Sequence, residues 1–192
     1  MADATPDTIT LDCRCGATGM AVSGVPIMAV ECACTSCRTA AQQLGDPDLL
    51  TPYHTTPCVM VRKDRVAFVR GTEHLRHLRL TPQSSTRRVV ATCCQTPMFL
   101  EFEKGHWLSL YSGLWPVPER PAPILRTMTG DLPTGTTLPD DIPNARRHTF
   151  GFMARLLGAW IAMGFRVPTM PVTQPLQPRP QGATDTSAPT HV

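Results

Sequence analysis

Short apolar stretches, broken by glycine, proline and aspartate, fill the first two thirds of the chain. Nine of them predict strands: Ile9 to Cys13, Met20 to Ser23, Ile27 to Cys32, Val59 to Arg62, Val66 to Arg70, Leu75 to Leu80, Arg88 to Cys93, Met98 to Glu103 and Trp107 to Ser112. Several are β-branched, and others alternate apolar with polar positions, as in Leu100-Glu101-Phe102-Glu103. The breaks carry turn chemistry at Gly24-Val25-Pro26, Lys63-Asp64, Arg70-Gly71 and Lys104-Gly105. The pattern predicts a mainly β domain of short antiparallel strands over residues 8–115.

Helical periodicity occurs in two places. Ser36 to Leu44 predicts a short helix, stopped by Gly45 and Pro47. Residues 116–143 are rich in proline, threonine and glycine, and are expected to wrap the surface as a loop. Asn144 then predicts the cap of a C-terminal helix over 144–166. Phe150, Met153, Leu157, Trp160, Ile161 and Phe165 cover one broad face of it, widened by Phe152, Leu156 and Met163. That helix is expected to pack on the β domain, with self-association or contact with a membrane surface as its other uses. A membrane span needs about 20 apolar residues, and this run is shorter and interrupted by Arg155, so no transmembrane segment is expected. From Val167 the chain turns to proline, threonine and glutamine, which predicts a disordered tail over 167–192.

Composition narrows the function classes. A formal net charge of +3 across 192 residues, with no run of lysine or arginine, argues against nucleic acid as a partner. The first ten residues are polar and contain Asp3 and Asp7, without the apolar run of a secretory leader. Eight cysteines in such a setting point to metal or catalysis rather than a disulfide framework, and to a reducing, cytoplasmic location. Cys13 and Cys15, like Cys32 and Cys34, stand too close in sequence to bridge without severe strain.

The cysteine spacing is the sharpest signal. Cys32-Ala33-Cys34-Thr35-Ser36-Cys37 places three thiols within six residues. The C-x-x-C turn brings two sulfurs to one centre, and C-x-C sets alternate side chains on one side of an extended segment. Three protein thiolates with an open position form the pattern of a catalytic zinc, whereas a fourth ligand from Cys58 or His54 would close the site. Cys13-Arg14-Cys15-Gly16 forms a knuckle that needs partners from a distant segment, and Thr92-Cys93-Cys94-Gln95-Thr96-Pro97 is the natural source. Adjacent strand residues face opposite ways, so Cys93 and Cys94 share one metal only if the chain bends between them.

The order C-x-C-G, then C-x-C-x-x-C-R, then a cysteine followed by x-T-P resembles the glutathione-dependent formaldehyde-activating enzyme family. That family includes the centromere protein V relatives and has the Mss4-like fold; the similarity runs from Leu11 to Phe102. It implies a zinc-stapled domain with two zincs: a structural one, for which Cys13, Cys15 and Cys94 match the ligands, and one on Cys32, Cys34 and Cys37 of catalytic type. The family's last element reads C-x-x-C-G-T-P. Here Ala91 stands at its first cysteine and Gln95 at its glycine, and Cys93 is placed to supply the missing ligand, as in an uncharacterised branch with a C-C-x-T-P element.

The activity this resemblance implies is that of a carbon–sulfur lyase acting on the aldehyde adduct of a small thiol such as glutathione. Arg38, beside the cluster, either orients a substrate carboxylate or serves as a strut. The alternative is a non-catalytic zinc module, either a thiol carrier or a protein-interaction domain. A zinc-ribbon nucleic-acid binder is disfavoured by the small charge.

Overall fold

A computed structural model describes residues 8–172 and 174–176. The architecture is mainly β, as the alternation predicts. Strands β1 (Thr8–Asp12), β2 (Gly19–Ser23), β3 (Met28–Cys32), β4 (Thr56–Arg62), β5 (Val66–Arg70), β6 (Leu75–Leu78), β7 (Thr86–Ala91), β8 (Thr96–Phe102), β9 (Trp107–Tyr111) and β10 (Arg126–Thr127) are accompanied by helices α1 (Thr35–Leu44) and α2 (Phe150–Ala162). Three strands form a small antiparallel sheet in the order β1-β2-β5. Seven form a larger sheet, β10-β3-β4-β9-β8-β7-β6, antiparallel except where β10 runs parallel to β3.

The large sheet is covered on both faces, and its strands show how. Ala29, Val59, Val61, Val89, Phe99, Leu108 and Leu110 join Leu11, Met20 and Val22 of the small sheet in the main core. The intervening residues turn the other way. Met28, Val30 and Met60 meet Phe152 and Leu156 of α2, while Cys58 and Tyr111 meet Ala41 of α1 and the neighbouring Leu49. Both helices therefore sit on the second face of the sheet. Double coverage explains why β8 is buried from Thr96 to Glu101. It also forces Glu101 into the interior, where Lys63 Nζ lies 2.6 Å away and Arg87 makes a second ion pair.

Four expectations need correction. The segment 116–143 is not purely a surface loop, because it supplies β10. Arg126 is buried there, paired with Glu31 at 2.9 Å and Asp141 at 2.6 Å, and Thr55 donates to the same Glu31. A two-residue strand centred on a buried arginine has no alternation to read. The C-terminal helix starts at Phe150, where Thr149 Oγ1 accepts from the Phe152 N–H at 3.1 Å, and not at Asn144. Residues 144 and 145 are held beside β10 instead, with the Ala145 N–H donating to Arg126 O. The side of α2 that packs is the narrow one carrying Phe152, Leu156 and Met163, whereas Phe150, Met153, Leu157 and Ile161 face outward.

The expected disordered tail begins too early as well. Met170 and Val172 are buried in the main core, and the backbone of Gln174 and Leu176 pairs with His77 on β6. Two apolar residues spaced by one are enough to cover a strand edge, but too few to offset the surrounding composition. Residues 177–192 lie outside the described region.

His106 fastens α2. Its Nε2 lies 2.8 Å from Leu156 O, and its ring stacks on Trp160 at 5.6 Å between centroids. Burial, opposed by that carbonyl, holds its pKa below the usual 6.5. The unfolded chain takes up the proton near 6.5 and the folded ring resists, so this contribution to stability is lost as pH falls below 6.5. His106→Gln is expected to flatten the acid-side decline in urea-unfolding free energy relative to the unsubstituted protein. An equally steep decline would show that this ring does not contribute to it.

Candidate metal centres

Two groups of thiols lie close enough to hold a metal ion: Cys13, Cys15, Cys93 and Cys94, and separately Cys32, Cys34 and Cys37. Within each group every sulfur lies within 4.8 Å of the others. All eight cysteines are free thiols.

The first group joins the two sheets. Cys13 follows β1, and the chain turns back after it, with the Gly16 N–H donating to Cys13 O and Gly16 at φ 75°. Cys93 and Cys94 occupy the turn between β7 and β8. There the Cys94 N–H reaches Ala91 O, and Gln95 adopts φ 57°, the left-handed geometry that a glycine takes easily. The chain does bend between the adjacent cysteines, so both join the group. The sequence alone left open which one would.

Sulfur separations are 3.6 Å for Cys13–Cys15, 3.7 Å for Cys13–Cys93 and 3.9 Å for Cys93–Cys94. A tetrahedron with metal–sulfur bonds of about 2.3 Å has edges of about 3.8 Å, so the four donors fit one ion. Cys94 is held down at about 6: burial opposes the thiolate, but bonds from Thr96, Cys15 and Cys13 outweigh it. Cys93 is pushed up to about 12 by burial and by its thiol neighbours, against a contact from Thr18. Four thiols so close cannot all ionise unaided, and a cation removes that conflict.

The second group sits where β3 ends and α1 begins. Cys34 is the N-cap of α1, its sulfur accepting from the Cys37 N–H at 3.4 Å. A helix N-terminus favours a thiolate. The Cys32 and Cys37 thiols, followed by the Cys37 N–H and the Arg88 charge, hold the Cys34 thiol down to about 2. The same contacts push Cys32 up to about 12, and raise Cys37 well above the ordinary thiol range. Three thiols packed this closely cannot all ionise unaided, again an arrangement that a cation completes.

Neither Cys58 nor His54, the expected sources of a fourth ligand, joins this group. Cys58 is buried on β4 with its pKa raised, first by burial and then by the charges at Cys32 and Cys34. His54 is an exposed turn residue at φ 59°. Arg38 is engaged with the protein itself: its guanidinium donates to Ala33 O and, at 2.7 Å, to Asp131 O. Of the two roles considered for it, the strut is the one with contacts.

Two residues near the triad gave no readable signal. Arg88 is a fully buried arginine on β7 whose Nη2 donates to Ser36 O at 3.1 Å. His148 lies close enough for the Cys34 charge to raise its pKa, although burial, the larger effect, lowers it below 6.5. Its Nδ1 lies 2.9 Å from Thr127 Oγ1, and its ring stacks on Phe152. Both approach α1 across more than 50 residues of sequence or from the far end of the chain, where local pattern carries no information.

A family profile matches residues 6–112, more than half of the 192-residue chain and a span holding all eight cysteines. The chain belongs to the DUF6151 family. That family is described as one of unknown function. The segment that brings β10 and α2 to this DUF6151 protein lies beyond the matched span. No curated protein matches the chain. A crystal structure of a Rhodobacter sphaeroides protein aligns with 71% of this chain and 99% of its own length, at 14% identity and a TM-score of 0.43.

The two groups and the isolated cysteine separate by substitution. Cys94→Ser is expected to remove one bound metal ion and lower the melting temperature by 10 °C or more, on the order of the several kcal/mol that a structural ion supplies. Cys58→Ser is expected to leave the metal count unchanged. Elemental analysis with thermal melts checks both, and a metal lost from Cys58→Ser would show that the fourth ligand had been misplaced.

Proposed function

We propose that this chain is a two-zinc protein in which the four-cysteine group is structural and the three-cysteine group binds and activates a small thiol. The observation that carries the reading is the difference between the groups: four sulfurs complete a tetrahedral shell, whereas three leave a position for a ligand. Thiolate donors at this spacing suit zinc, and free cysteines throughout suit a reducing, cytoplasmic setting.

On this reading the chain is a member of the Mss4-like superfamily and acts as a carbon–sulfur lyase-like enzyme on the aldehyde adduct of a thiol such as glutathione. A zinc ion at Cys32, Cys34 and Cys37 would supply Lewis acidity and lower the pKa of a bound thiol. The chain's own residues do the rest. The N-terminus of α1 stabilises negative charge at Cys34. The Glu31–Arg126–Asp141 ion pairs hold β10 against β3, which sets Thr127 and His148 beside the triad. With Nδ1 engaged by Thr127, the His148 ring has its Nε2 left to exchange a proton with the oxygen of an adduct.

A second reading, a non-catalytic zinc module, draws on a different observation. Cys34 caps α1 and Cys37 lies within its first turn, so an ion there would also fix a structural element. The two readings separate on thiol response.

Elemental analysis should find close to two zincs per chain. Cys34→Ser is expected to lose one of them while thermal unfolding stays cooperative, and the unsubstituted protein should accelerate interconversion of formaldehyde, glutathione and their adduct. Two zincs with no thiol response and no rate enhancement would move the assignment to the structural module. A single zinc, indifferent to thiol, would also move the assignment to the structural module, and no zinc at all would remove the premise of both.

A further inference from the structure

Arg88 is 2% exposed and has no carboxylate within ion-pair distance among the described residues. The other buried cations are matched: Lys63 to Glu101, and Arg126 to Glu31 and Asp141. Only Nη2 of Arg88 has a partner, the Ser36 carbonyl, while Nε and Nη1 have none. A guanidinium does not shed its proton in a protein, and an unpaired buried charge is strongly destabilising. The charge of Arg88 therefore calls for a negative group nearby.

The sheet places that guanidinium. Val89 points into the main core, so Arg88 stands on the opposite face, in the cross-strand row with Leu100, Ser109 and Met60. This is the face that carries α1. Ser36, which Arg88 reaches, lies between Cys34 and Cys37 in the sequence of the triad. The Ser36 carbonyl belongs to the turn that carries the triad sulfurs, so the guanidinium is anchored at the one thiol cluster on this face of the sheet.

We infer that Arg88 is the counter-charge of the Cys32–Cys34–Cys37 site, a positioning residue that allows three thiolates and a divalent cation to be held inside the protein. The inference rests on the metal reading above. Three thiolates with Zn²⁺ carry one net negative charge, and Arg88 brings the sum to zero. The four-cysteine group is more exposed, and among the described residues no other buried arginine or lysine lacks a carboxylate partner.

The test compares the two sites in one molecule. Arg88→Met and Arg88→Lys are loaded with zinc or cobalt(II) and titrated with a chelator, with cobalt–thiolate absorption reporting each site. Arg88→Met is expected to weaken the second-releasing or first-releasing ion assigned to the triad by Cys34→Ser, by about tenfold or more. The ion at the four-cysteine group should change by less than about threefold, and Arg88→Lys should recover much of the loss. Unchanged affinity at both sites, or equal weakening of both, would overturn the inference.

A double-substitution cycle covers the case where Arg88→Met folds poorly. In the Cys34→Ser background, Arg88→Met should cost much less stability than in the parent, or raise it, because the charge has lost its partner. An equal cost in both backgrounds would mark Arg88 as a strut only. Absence of any metal at the triad in the unsubstituted protein would refute the zinc reading itself, whereas a triad holding zinc equally well in Arg88→Met would refute this inference alone.

Discussion

Thiols packed within van der Waals reach of one another cannot all carry charge, and this constraint organises the molecule. At the first group, four sulfurs tie the end of β1 to the turn between β7 and β8, and so tie the small sheet to the large one. At the second, three sulfurs tie the end of β3 to the first turn of α1. Crowding shifts the thiols of each group in opposite directions, with Cys94 and Cys34 held low while Cys93, Cys32 and Cys37 are pushed high. On the proposed reading a divalent ion would convert that conflict into binding energy, part of which would also be folding energy.

The remaining architecture supports these two junctions. Coverage of the large sheet on both faces buries polar side chains, and most of them are answered locally: Glu101 by Lys63 and Arg87, Glu31 by Arg126 and Thr55. Pairs of this kind contribute little net stability against a well-packed apolar alternative, but removing one partner is costly. Their value lies in geometry. The Glu31–Arg126 pair fixes where β10 lies, and Thr127 of β10 pairs with Cys32 and holds His148, whose ring stacks on Phe152 of α2.

Much of this was legible in the sequence, for physical reasons that also mark where legibility ended. Strands such as β5 and β9 declare themselves because β-branched and aromatic residues bounded by turns have few other uses. The helix α1 was readable from its Gly45 stop. The spacing Cys32-x-Cys34-x-x-Cys37 was readable as a site because three thiols in six residues have no ordinary packing role. What failed were features decided by distant contacts. Asn144 and Thr149 both look like caps, and only the pairing of residue 145 with β10 decides between them. The outward face of α2 is as apolar as the buried one, so periodicity could not tell which side packs. Arg88 looks like one of two arginines opening a strand, and nothing local shows that it enters the interior toward Ser36.

The central claim is that the two thiol groups hold zinc in unlike shells, one closed by protein and one open to a ligand. X-ray absorption at the zinc edge measures it directly. With both sites filled, the account predicts about 3.5 sulfurs per zinc, averaged over a closed shell of four and an open shell of three, rising toward about 4 when excess glutathione is added. A value of four sulfurs per zinc that does not respond to thiol would contradict the open site and with it the proposed chemistry.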